Sequence, residues 1–222
     1  MKLKMLWLIP VLTACHFVLY GQDAVGRDPG YVKVIEDRTE KLMPSIGVTD
    51  SEARARVKAR IMDHYFALND IYEARDSLNK ALATERQQGL SETEVKKRQE
   101  CIAALTDSRL YRPHYGFLAG LMLDLTPEQI EAVKNGLTYN VLNVTYDAHL
   151  DMIPSLTEAQ KKKIYVWLVE AREYAMDAES SGKKHEIFGR YKGRINNYLS
   201  QEGYNLTQER RAWQQRLENR RP

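Results

Sequence analysis

The chain has 222 residues, 43% of them hydrophobic and 28% charged, with a formal charge of +3. That length and apolar content suit one domain with a sizeable core. Lys2 and Lys4 belong to an export signal, so the 33 basic residues fall to 31 against 30 acidic ones in the mature chain. A chain so near neutral has no global electrostatic attraction for nucleic acid or an anionic membrane.

Residues 1–21 read as a signal peptide. A basic start precedes an apolar run, residues 5–20, which Pro10 and His16 interrupt and which is too short for a membrane span. Two processing routes fit. Cleavage after Gly21 leaves Gln22 at the mature end. Residues 12–15, Leu-Thr-Ala-Cys, resemble a lipobox and would put a lipid on Cys15 as the one attachment to a membrane. The apolar stretch 16–20 after the cysteine favours the first route. Either way Cys101 is the only internal cysteine, so no intramolecular disulfide is expected. Its place in a helical pattern suits a small core residue better than a nucleophile.

Residues 22–30, with Gly26, Pro29 and Gly30, read as a flexible leader. The helical domain is expected over 31–217. A first helix covers 31–43 and Pro44 stops it. Thr49 and Glu52 have capping-box spacing. They open a long helix whose apolar face (Val57, Ile61, Leu68, Leu78, Leu82) runs to about residue 88. Ser91 and Glu94 open the next, which fades near 106–108; Pro113 breaks the chain, and 114–123 form a short separate helix. Thr126 caps another, with Pro127 at its first position. Residues 138–145 (TYNVLNVT) break the helical period and are expected to form an extended, irregular connector.

The clearest helix follows, within 153–177. Thr157 and Gln160 cap it, and Ile164, Trp167, Leu168, Ala171, Tyr174 and Ala175 form one stripe. The helix at 186–199 carries Gly189 and Gly193 one turn apart, which predicts close approach of another backbone or a ligand. A last helix starts near Leu206 and Thr207. Residues 218–222 are expected to be a frayed basic tail. The fold expected is therefore all-α, a single-domain array of about seven to eight helices.

No catalytic motif stands out. The mature histidines His64, His114, His149 and His185 lie in no metal-ligand spacing. No strand-to-helix glycine loop cradles phosphate. No cofactor, metal or nucleic-acid partner is expected. Carboxylates are plentiful, Glu170, Glu173 and Asp177 among them, but an acid/base pair depends on spacing in space that the sequence does not hold.

The phrases at 125–129 (LTPEQ) and 156–160 (LTEAQ) resemble the Leu-Thr-x-x-Gln motif of periplasmic chaperones of the Spy and CpxP type. The favoured reading is that they are two helix starts, with Thr as cap and Gln reaching back to it. A wider resemblance is carried by 67–71 (ALNDI), 73–76 (EARD), 125–129, 144–146 (VTY) and 150–152 (LDM). Above all it is carried by 167–177 (WLVEAREYAMD) and 191–199 (YKGRINNYL). These resemble a family of exported bacterial proteins of similar length, catalogued as a domain of unknown function and often encoded beside polysaccharide-degradation genes. The resemblance spans nearly the whole mature chain. It implies an all-helical fold and a role near glycan uptake or breakdown.

The favoured expectation is a non-catalytic, exported glycan-binding or accessory protein of the periplasm or cell envelope, with an oligosaccharide or acidic glycan fragment as partner. Tyr139, Tyr146 and Tyr191 would offer ring faces. Arg172, Lys192 and Arg194 would hold acidic groups, and Asn196 and Asn197 would bind hydroxyls. One alternative is a glycan hydrolase or lyase using His185 or His64 with a carboxylate. It requires a His–carboxylate contact or a buried carboxylate pair inside a cleft. A chaperone-like protein with an exposed apolar concavity is the third reading.

Overall fold

The computed structural model describes residues 26–220. The expected signal peptide, both processing routes, the first four residues of the expected leader and the last two residues of the tail lie outside the described residues. Within them the chain forms eight α-helices: α1 (Pro29–Ile46), α2 (Ser51–Gln87), α3 (Glu92–Leu121), α4 (Pro127–Leu137), α5 (Val141–Met152), α6 (Glu158–Met176), α7 (Ser181–Gln201) and α8 (Leu206–Asn219). No strand occurs among the described residues.

Two apolar cores organise them. The first joins α1 to α4 through Met43, Val57, Ile61, Phe117, Leu121, Val133 and Leu137. The second joins α5, α6 and α7 through Leu142, Ile164, Leu168, Ala171, Ala175, Phe188, Ile195 and Leu199, with Leu206 and Trp213 of α8 packed against it. Met176, near the end of α6, belongs to the first core, so α6 ties the two together. Its buried residues recur at helical spacing, as the stripe predicts. Thr157 and Gln160 close a full capping box at its start, and Thr126 and Gln129 do the same for α4.

The prolines depart from expectation. Pro44 does not stop α1, which reaches Ile46 and ends on Gly47 in the left-handed region. Pro113 lies inside α3, which runs unbroken from Glu92 to Leu121. A helix-interior proline costs about 3 kcal/mol. Burial of Phe117 and Leu121 in the first core, beyond the proline, offsets it. Asp50, not Thr49, caps α2, accepting from the Ala53 N–H at 2.7 Å.

The extended connector is also replaced. Only Thr138–Asn140 is irregular, with φ of 56° at both Tyr139 and Asn140, and α5 begins at Val141. Burial of Leu142 and Thr145 outweighs the strand propensity of the segment. At the ends, α1 begins two residues inside the expected leader. Likewise α8 reaches Asn219, and Arg220 lies 3.4 Å from Asp151. Cys101 is exposed rather than in a core.

The glycines reverse their expected roles. Gly189 and Gly193 are exposed, and a Cβ at either would meet nothing within 4 Å. Close approach occurs instead at Gly136, where a Cβ would fall 1.8 Å from Leu42 Cδ1. Gly189→Ala and Gly193→Ala are therefore expected to stabilise the fold by up to about 1 kcal/mol each. Gly136→Ala is expected to cost about 1–3 kcal/mol by overpacking. Urea midpoints of the three variants check both signs.

Candidate functional site

A cleft of about 790 Å3 opens between α2 and α3 on one side and α6 and α7 on the other. The helical register builds each wall. Asp107, Tyr111 and His114 recur along one face of α3, and Glu170, Tyr174 and Asp177 along one face of α6 and its C-cap. Tyr72 and Arg75 enter from α2, and Lys183, Glu186 and Arg190 from α7. Tyr111, Tyr115 and Tyr174 are each more than 60% exposed. Their rings are presented to whatever enters the cleft. Tyr174, expected inside the α6 stripe, therefore belongs to the cleft.

The floor holds a buried carboxylate between two imidazoles. His114 Nδ1 lies 2.7 Å from Asp177 Oδ2. His64 Nε2 lies 3.2 Å from Asp177 Oδ1, close but without hydrogen-bond alignment. Stacking on Phe117, at 4.1 Å between centroids, fixes the His64 ring. The Tyr72 hydroxyl donates to the Asp177 carbonyl at 2.7 Å, which pins the backbone beneath the carboxylate.

Burial alone would raise the Asp177 pKa. The hydrogen bond from His114 and the nearness of His64 overcome it and hold the carboxyl below its ordinary value. Asp177 is thus ionised and can only accept, so Nδ1 of His114 carries the hydrogen. In neutral His114 the Nε2 lone pair is left free, 3.9 Å from Glu173 Oε2. The hydrogen bond to Asp177 raises the His114 pKa, against the opposing effect of burial.

These shifts make a pH prediction with a definite sign. Asp177 is depressed, so its contribution is full above 3.8 and is lost as pH falls through its folded value. His114 is elevated, so its contribution is full below 6.5 and is lost as pH rises through its folded value. The pair should therefore stabilise most between about pH 4 and 6.5. Asp177→Asn is expected to flatten both flanks of a plot of stability against pH, measured by urea unfolding.

Behind the cleft the charges are tied together. Arg172, only 2% exposed, spans from α6 to α4: 2.7 Å to Glu131, 2.8 Å to Asn135 Oδ1 and 3.1 Å to Glu173. Lys134 meets Glu173 at 3.2 Å. Arg172 is thus a clamp between helices and does not reach the cleft as an anion ligand.

The other residues expected to bind a ligand do not converge. Tyr146 packs edge-on against Tyr165 at 5.3 Å. Lys192 and Asn196 lie beside the buried His149, whose Nδ1 contacts the Thr145 carbonyl at 2.7 Å. Asn197 is exposed. Arg194 covers Trp167 at 4.4 Å and meets Glu170 at 3.5 Å. Tyr191 also bonds Glu170; burial first, then that carboxylate, pushes its hydroxyl up to about 12. These two side chains support the cleft wall from behind. Tyr139 alone lines a pocket, the smaller one beyond Ala178 and Glu179.

The hydrolase alternative paired His185 or His64 with a carboxylate; His64 lies 3.2 Å from Asp177. His185 instead stacks on Tyr139 at 5.8 Å, and His114 takes the place expected for it. Among the described residues no group of three or more His, Cys, Asp or Glu is disposed to hold a metal ion, and no helix is long and apolar enough to cross a membrane.

A family model described as "Protein of unknown function (DUF3826)" matches residues 32–219. No curated protein matches the chain.

Proposed function

We propose, for a chain that belongs to the DUF3826 family, that the cleft holds an oligosaccharide and that His114 acts on it as a general acid–base, making the protein a glycan-acting hydrolase. The export signal and the resemblance to proteins encoded near polysaccharide-degradation genes support an extracytoplasmic role in polysaccharide utilisation. The observation that carries the reading is the His114–Asp177 pair on the floor of a tyrosine-walled cleft. An ionised carboxylate that fixes the Nδ1 tautomer is how an imidazole is prepared to take up and return a proton at Nε2. Exposed tyrosines offer faces for sugar rings and hydroxyls for their polar edges.

The charges narrow the chemistry. Six carboxylates line the cleft against three Arg or Lys side chains, which favours a neutral saccharide in it. Glu170, Glu173, Asp177, Glu179 and Glu186 all have cationic or imidazole partners. That leaves Asp107 without an ion pair among the described residues, and so no free carboxylate pair for two-carboxylate glycosidase chemistry. A single imidazole suffices to hydrolyse an acyl ester borne by the sugar. Nε2 takes a proton from water as its oxygen attacks the carbonyl carbon. The tetrahedral adduct then expels the sugar oxygen, which receives that proton back. Water and ester become acid and alcohol, and His114 ends neutral.

The test is an assay of acid release from acylated neutral oligosaccharides by the full chain, followed by mass spectrometry. Release that Tyr174→Ala weakens is expected. Tight binding with no release across the panel would return the protein to the non-catalytic glycan-binding reading.

A further inference from the structure

We infer that the smaller pocket, across Ala178 and Glu179 from the cleft, is a separate subsite for a sugar acid, binding its carboxylate between Arg38 and Lys184. The pocket has a volume of about 310 Å3 and lies among α1, α2 and the start of α7. Lys184 is 5% exposed. Its ammonium donates to the Leu137 carbonyl at 2.9 Å and the Met176 carbonyl at 3.3 Å, leaving one of three N–H donors for a ligand. It is therefore held in place by neutral partners and keeps its charge uncancelled by any direct carboxylate contact. Arg38 lines the same pocket and forms no ion pair among the described residues. Two cations without carboxylate partners in one small pocket are the requirement for an anion site.

The rest of the lining fits a polyhydroxylated body. Tyr31 and Tyr65 offer hydroxyls, and Asn69 an amide, beside the two cations. Tyr139 closes one side, its ring stacked on His185. It is held there by two successive non-glycine residues at positive φ, a strained conformation of the kind that persists where a site needs it. Three carboxylates also line the pocket. Asp76 and Glu179 both pair with Arg75, and Glu73 accepts from Asn69 at 2.8 Å. These suit sugar hydroxyls, which donate to carboxylates. A monoanionic sugar meets both halves of this lining; a bare inorganic anion meets one. That the ligand is a sugar rests on the saccharide reading of the cleft, whereas capture of a carboxylate does not.

Titration calorimetry with glucuronate, glucose and acetate tests the assignment. Glucuronate is expected to bind at least about tenfold more tightly than either of the others, and Arg38→Gln, at an exposed position, to weaken it about tenfold. Tyr174→Ala, in the cleft, should leave glucuronate binding unchanged. Equal affinity for glucose and glucuronate, or no effect of Arg38→Gln, would remove the anion site. Acetate bound as well as glucuronate would leave a carboxylate site and remove the sugar. Failure of ester hydrolysis in the cleft touches none of these readings, so the two proposals fall separately.

Discussion

Arg172→Ala is expected to lower stability by about 3–5 kcal/mol. In a chain of this length that is a fall in melting temperature on the order of 10 °C. The guanidinium is almost wholly buried, yet three polar partners on two helices hold it. Removing it leaves Glu131, Asn135 and Glu173 facing a cavity, so the cost combines lost charge-assisted bonds with lost packing. Burial alone would raise the Glu131 pKa; the bond from Arg172 outweighs it and holds the carboxyl low. The same variant should therefore lose Glu131's contribution at neutral pH, and its deficit should shrink as pH falls through the carboxylate range. Arg172→Met keeps most of the volume and isolates the charge network; it should cost less than alanine. If Arg172 were a ligand group, as the sequence suggests, alanine would spare the fold and abolish binding. Thermal unfolding beside saccharide titration separates the two.

Arg172 also shows where sequence reading stops. The α6 stripe and both Thr–Gln capping boxes are local patterns, set within one or two helical turns, and they are legible. Whether an arginine beside that stripe turns to solvent or to α4 depends on Glu131 and Asn135, some forty positions away, with no local signal. Gly136 and Gly189 look alike as helical glycines; only the crossing of α1 over α4 makes one indispensable. The candidate site was half legible for the same reason. His64 and Asp177 could be named as an imidazole and a carboxylate, but their meeting spans 113 positions. His114 was hidden by Pro113. A proline in mid-pattern is read as a break, and a break detaches His114 from the face of α3 that carries Asp107 and Tyr111. Propensity lost to packing there, and the residue beside the exception is the one with the free nitrogen.

His114→Gln is the change expected to matter most for activity. Glutamine can still donate an N–H to Asp177, so the floor of the cleft should stay folded, and the tyrosine walls are untouched. It has no group that can take a proton from water and return it. Turnover should drop by about 10²–10⁴-fold, with saccharide affinity changed little. The pH profile adds a signature that a merely structural role would not produce. Acting as base, His114 must be neutral, so kcat/KM should rise with pH through a pKa above the ordinary imidazole value of 6.5. Asp177→Asn should lower that midpoint, because it removes the carboxylate that stabilises the imidazolium. Stability moves the opposite way, since the pair weakens as His114 loses its charge. An optimum set by these opposed slopes, present in the wild type and absent in both variants, identifies His114 as the acting group. Retained turnover in His114→Gln, with only the pH dependence of unfolding altered, would make the pair a structural tie between α3 and α6.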